Sequence, residues 1–220
     1  MKNKLKFNIW DILILLLGVI PIIVAIKLLP DQVARYSNMG GYGLPIGYMN
    51  KKYIIVGIGC FTLLLPFIVK LFPLMDPKRA NYLKFQSTFE YIRFLPSVVL
   101  SVICCIWVLI VTGHPFDLRT WFIVMFGICS ILTGNVMGRV RTSYLGGLPT
   151  PWALRDENNW RLTHRFAGFL WILTGFLALA SLFFTNSILV VIITLAIQIL
   201  IPFGYSYLIH KRKDDSVEII

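Results

Sequence analysis

Six long apolar runs constrain this 220-residue chain more than any other feature. They fall at about 10–29, 53–72, 94–112, 120–137, 166–184 and 188–209. An α-helix rises 1.5 Å per residue, so roughly 20 apolar residues reach across the hydrocarbon core of a bilayer. Inside hydrocarbon the backbone has no water to bond, and a helix satisfies its N–H and C=O groups internally. Composition agrees: 57% of residues are hydrophobic and only 14% are charged, which excludes an ordinary soluble domain. The first run is too long for the apolar region of a signal peptide and lacks a small-residue cleavage site, so it is expected to stay in the mature protein. The predicted fold class is therefore all-α: a polytopic integral membrane protein with six transmembrane helices.

The formal net charge of +11 is arranged for orientation rather than for nucleic acid. With the N-terminus placed in the cytoplasm, 16 of the 21 Lys and Arg residues fall on the inner side. Only Lys27, Arg35, Lys51, Lys52 and Arg119 fall outside. The positive-inside rule then predicts that both termini are cytoplasmic. The basic inner loops are expected to meet anionic lipid headgroups, and no direct contact with nucleic acid is expected. The resulting organisation has three parts. Residues 1–72 form a two-span unit with an extracytoplasmic loop at 30–52. Residues 73–93 form a cytoplasmic amphipathic connector. Residues 94–220 form a four-span unit with a polar loop at 139–165.

The segment at 30–52 interleaves Gly40, Gly41, Gly43 and Gly47 with Tyr36, Tyr42 and Tyr48. Two readings stand: a turn-rich loop with interfacial tyrosines, or a peptide-contact surface, because Tyr on a pliable backbone offers amphipathic area. In the connector, Pro73 and Pro77 stop the preceding helix. Tyr82, Phe85, Phe89 and Ile92 then recur at helical spacing, which predicts a segment lying in the membrane interface. Cys60, Cys104, Cys105 and Cys129 all lie within spans and read as packing residues, not as disulfides or metal ligands. No metal site or cofactor is expected. The interiors of the spans carry no ionisable residue; Asp11, Lys70 and Arg93 sit at span ends, where their side chains are expected to reach the headgroup region. Gln198 calls for an interhelical hydrogen bond. Ser130, Gly134 and Gly138 line one face of the fourth run, either as helix packing within the chain or as a homodimer seam.

The polar loop is the one chemically dense stretch. It holds Arg139, Arg141, Arg155, Arg161 and Arg165, with His164, Asp156, Glu157, Trp152 and Trp160. Thr150 before Pro151 predicts a helix start. Trp160, His164 and Gly168 then share one helix face. Asp156 and Glu157 are within reach of Arg161 or Arg165, and His164 has the side chain that titrates nearest neutral pH. Thr163 and His164, as helix neighbours, point apart and form no catalytic dyad. The loop reads as a partner-docking or anchoring surface and not as an active site.

The run Ser143-Tyr144-Leu145-Gly146-Gly147-Leu148-Pro149-Thr150-Pro151-Trp152, followed by Trp160-Arg161-Leu162-Thr163-His164-Arg165-Phe166-Ala167-Gly168, resembles the signature of SdpI-type proteins. It departs from that pattern at Ser143, where Asn is usual, and at Pro149, where Arg is usual. A second stretch, Leu29-Pro30-Asp31-Gln32-Val33, is similar to the extracytoplasmic loop common in the same family. SdpI-type proteins are bacterial membrane proteins that confer immunity to a secreted toxic peptide. Their founding member also signals by holding a transcriptional repressor at the membrane. The resemblance implies a non-enzymatic immunity protein of the bacterial plasma membrane, with a secreted peptide toxin and a cytoplasmic repressor as partners. The candidate toxin contacts are Asp31, Arg35, Tyr36, Tyr42 and Tyr48, on the outer loop. The resemblance implies partner-docking residues at Tyr144, Thr150, Pro151, Trp152, Trp160, Thr163, His164 and Arg165. The rival class is a small transporter or lipid-handling protein with a neutral pathway between its helices.

Overall fold

The computed structural model describes residues 7–35, 46–114, 117–183 and 187–217. Among the described residues, six helical stretches are long and apolar enough to cross a membrane: Ile9–Leu28, Lys51–Met75, Arg79–Val111, Arg119–Met137, Glu157–Phe183 and Ile188–Lys213. Each coincides with one of the apolar runs. Among the described residues the fold is all-α apart from one short antiparallel strand pair. Its residues group into two compact units, Met1–Lys70 with Arg93–Asp117, and Leu71–Ile92 with Leu118–Ile220.

In the first unit, helix α1 (Ile9–Leu28) opens with a capping box. The Asn8 side chain accepts from the Asp11 N–H at 3.1 Å, and the Asp11 carboxylate accepts from the Asn8 N–H at 2.9 Å. Two donors that a helix start leaves unsatisfied are thereby used. The chain then forms an antiparallel pair, β1 (Gln32–Arg35) with β2 (Gly47–Asn50), in which Gln32 faces Asn50 and Arg35 faces Gly47. The second span follows as α2 (Lys51–Gly59), a π-helical turn at Cys60–Leu64 and α3 (Leu65–Lys70). Pro66 explains the turn: it has no N–H to offer the Thr62 carbonyl, and the Leu65 N–H reaches back five residues to Cys60. The Thr62 hydroxyl donates to the Gly18 carbonyl of α1 at 2.9 Å. A β-carbon on Gly18 would lie 2.7 Å from the Thr62 oxygen, so the two spans meet backbone to backbone there.

One feature of this unit departs from the sequence expectation. Asp11, Lys70 and Arg93 do not snorkel outward; they converge. Arg93 Nη2 donates to Asp11 Oδ1 at 2.7 Å, and Lys70 Nζ donates to Asp11 Oδ2. The side chains of Asp11 and Arg93 are fully enclosed, and that of Lys70 is 9% exposed. The start of the first span, the end of the second and the early part of the third bring these residues to one level, where pairing offsets the desolvation that each charge would suffer alone.

In the second unit, α4 (Phe72–Met75) leads through Asp76 to a 3-10 segment at Arg79–Phe85 and the opening turns of α5 (Gln86–Val111), which from Arg93 onward belongs to the first unit. Helices α6 (Leu118–Met137), α7 (Pro151–Arg155), α8 (Glu157–Ala180) and α9 (Ser187–Val217) complete the second unit. α6 and α8 run antiparallel at a distance set by glycines. A β-carbon on Gly134 would lie 2.7 Å from the Gly168 oxygen, and one on Gly175 would lie 2.8 Å from the Gly127 oxygen. Gly127 and Gly134, like Gly168 and Gly175, are two helical turns apart, so both contacts fall on one seam. The face carrying Ser130 and Gly134 is therefore used within the chain, as helix packing. Gln198 of α9 ties the helices together, donating to Ser130 Oγ at 3.0 Å and Thr174 Oγ1 at 2.7 Å. The connector also differs from expectation. Tyr82, Phe85 and Phe89 do not lie on lipid; they are buried in one cluster with Met137, Val140, Ala153, Trp160 and Ala167.

Candidate functional site

The polar loop between α6 and α8 is held by three sets of contacts, all within the second unit. The first centres on His164. Its ring stacks on the indole of Trp160, one turn earlier, with centroids 3.9 Å apart and planes 16° from parallel. His164 Nε2 accepts from the Leu148 N–H at 3.0 Å, so that nitrogen carries no proton. Nδ1 then bears the hydrogen and donates to the Trp160 carbonyl at 2.9 Å. The neutral Nδ1–H tautomer satisfies both nitrogens of a side chain that is fully buried. The Trp160 indole N–H donates to the Val140 carbonyl at 2.9 Å. Gly147 closes the arrangement: its φ is +91°, and a β-carbon there would lie 2.5 Å from His164 Nε2. Only glycine meets both the backbone and the space requirement.

The second set belongs to the connector. Asp76 is buried, and one of its carboxylate oxygens accepts three hydrogen bonds: from the Tyr82 hydroxyl at 2.9 Å, the Tyr144 N–H at 2.7 Å and the Leu145 N–H at 3.2 Å. Successive backbone amides at the loop tip thus close on one carboxylate. Asn81 Nδ2 donates to the Thr142 carbonyl at 2.8 Å, and Lys78 Nζ donates to the Leu154 carbonyl. The Ser143 hydroxyl donates to the Gly146 carbonyl at 2.8 Å, tightening the turn itself.

The third set joins α7, α8 and α9. Thr150 caps α7, as its sequence context predicts, accepting from the Ala153 N–H at 3.1 Å. Its hydroxyl also lies 2.6 Å from Ser206 Oγ of α9. Ser206 Oγ donates to Asn159 Oδ1 at 2.8 Å, Asn159 Nδ2 donates to the Ser206 carbonyl at 2.9 Å, and Thr163 Oγ1 donates to Asn159 Oδ1 at 3.0 Å. Trp152 leans on Phe203 and Tyr207 of α9, with ring centroids 5.3 Å and 5.1 Å away. At the surface Asp156 pairs with Lys213 at 2.9 Å, and this partner, with the Asn158 N–H, holds the Asp156 carboxyl below the usual carboxylate range. The acid expected to meet Arg161 or Arg165 meets Lys213 instead, while Arg161 donates to Asn158 Oδ1 at 2.9 Å.

The eight signature residues thus divide. Thr150, Trp160, Thr163 and His164 are buried and pin the loop from within. Tyr144, Pro151 and Arg165 are exposed, and Trp152 is half-buried. At the other candidate surface, Asp31 is exposed and paired with Lys51 at 2.7 Å, which lowers its carboxyl pKa. Arg35 ends β1, and Tyr48 stands 65% exposed on β2. Tyr36 and Tyr42 lie outside the described residues. Sequence reasoning missed Asp76, Tyr82, Asn159 and Ser206 as holders of the loop. The one available signal was a lone acid next to Pro77.

Two comparisons place this geometry. The model of the SdpI/YfhL protein family matches residues 139–206, the stretch that holds the loop, α7, α8 and most of α9. The Immunity protein SdpI of Bacillus subtilis (strain 168) is similar over 215 residues at 26% identity, covering 96% of this chain and 100% of that protein. No solved structure matches the chain.

Proposed function

We propose, from the match of residues 139–206 to the model of the SdpI/YfhL protein family, that this chain is an immunity protein protecting its cell from a secreted peptide toxin. It is a multi-pass protein of the bacterial plasma membrane, similar along its whole length to a protein named for immunity. That full-length similarity is the observation that carries the reading. The pinned loop adds support, since every buried signature residue has a structural task and the remaining ones form an exposed rim.

The orientation that fits has both termini and the signature loop in the cytoplasm and the β1–β2 hairpin outside, supported by the imbalance of Lys and Arg. Toxin contact is then assigned to the outer segment through Asp31, Arg35, Tyr36, Tyr42 and Tyr48. Signalling by sequestering a repressor is assigned to the exposed rim of the inner loop, around Tyr144, Pro151, Trp152 and Arg165. The test is expression of this chain in a toxin-sensitive strain, scored for survival against a panel of secreted peptide toxins. Survival against at least one toxin is expected. Death against all of them, with the protein present in the membrane, overturns the reading.

A further inference from the structure

Beside the pinned loop, the second unit contains a cavity of about 460 Å³ whose floor belongs to the loop-holding contacts and whose rim carries charged side chains that those contacts do not use. Its floor is the buried edge of Trp160 with Val140. Around it stand Lys84 of the connector, Arg141 of the loop and Arg161 of α8, all three exposed. They come from three separate stretches of chain and converge on one space. Among the described residues none of the three makes an ion pair; Arg161 bonds only the neutral Asn158 amide. Glu157 is the single acid on the lining and pairs with none of them, so positive charge is in excess.

Three cations facing one concavity repel one another and focus a positive potential into it. An anion with several oxygens relieves that repulsion. Guanidinium groups match phosphate oxygens in a planar, two-pronged fashion, and a lysine adds a point charge. The volume exceeds that of a bare phosphate and leaves room for a glycerol-sized group. Gly138, the first residue past α6, is also on the lining, so the cavity opens where an apolar span ends. That is the depth at which a bilayer carries its phosphates.

We propose that this cavity binds a phosphate group, presented either by an anionic phospholipid headgroup or by a soluble phosphate ester. This goes beyond the immunity reading and does not rest on it, because binding is measured in the absence of toxin. The experiment uses the full-length protein in neutral detergent, titrated calorimetrically with dihexanoyl phosphatidylglycerol and, separately, with glycerol 3-phosphate. Saturable binding of one molecule per chain is expected, weakening as salt rises. Affinity should fall about tenfold in Arg141→Gln and again in Arg161→Gln. A clear preference for the lipid identifies a headgroup as the source; equal or better binding of glycerol 3-phosphate identifies a soluble ester. Lys84→Gln on the connector is a second, independent variant, expected to weaken binding without touching the loop or α8. Absence of saturable binding for both probes overturns the proposal. So does undiminished binding by the double arginine variant.

Discussion

Replacing Asp11 with asparagine removes one charge and almost no volume, and it isolates the contribution of the enclosed ion cluster. In the native protein the Asp11 carboxylate accepts from Arg93 at 2.7 Å and from Lys70, and it accepts from the Asn8 N–H at 2.9 Å. An asparagine keeps one oxygen for the cap but removes the negative charge that Arg93 and Lys70 share at this point. Arg93 is fully enclosed; Lys70, 9% exposed and 5.9 Å from the Phe7 ring, has some room to relax outward. Breaking a buried pair from one side costs about 3–5 kcal/mol, and relaxation of Lys70 argues for the lower end, about 3 kcal/mol. In a chain of this length that corresponds to a fall of about 6–12 °C in the midpoint of thermal unfolding. The assay is thermal unfolding in detergent, run as a cycle with Arg93→Met. The double variant should be less destabilised than the two single variants added together, because both single changes break the same Asp11–Arg93 contact. A midpoint for Asp11→Asn within about 1 °C of the native one, or strict additivity in the cycle, would refute the argument.

Three further substitutions probe the second unit. Gly147→Ala forces a β-carbon to 2.5 Å from His164 Nε2 at a φ of +91°, so an unfolding midpoint lowered by at least about 2 kcal/mol equivalent is expected, checked by the same thermal assay. Gly168→Val drives α6 and α8 apart at a point where 2.6 Å separates the added carbon from the Gly134 oxygen, and membrane abundance on an immunoblot should collapse. Tyr82→Phe removes one of three donors to the buried Asp76 oxygen; it should cost about 1–2 kcal/mol and raise protease cleavage between Arg141 and Pro149, while full protection of that segment would contradict the latch.

The spans and the loop were legible because their signals are local. Apolar runs of bilayer length, the Thr150–Pro151 helix start and the one-turn spacing of Trp160 and His164 are all contained in short windows. What stayed hidden depends on partners distant in sequence. Asp11, Lys70 and Arg93 each resemble an ordinary span-end charge, and only packing brings them together. Ser206 lies inside an apolar run with nothing nearby to mark it as a partner of Thr150 and Asn159. The outward or inward sense of the Trp160–His164 face depends on Gly147 and Leu148 folding back over it. The glycine seam was read at a spacing of four around Gly134, whereas the close approach repeats at seven and needs the second helix to become visible. The β1–β2 pairing was masked by the glycine and tyrosine content of the segment it closes.

On the proposed function this chain protects a cell, and its signature works by fixing the loop from inside. Survival of toxin-sensitive cells producing either the native chain or His164→Ala, at matched membrane abundance, tests both halves at once. His164 is fully buried and bonds Leu148 and Trp160, so its loss frees the loop without altering any exposed side chain. Survival with the native chain and killing with His164→Ala are expected. Killing with the native chain, or equal survival with the variant, would contradict that reading.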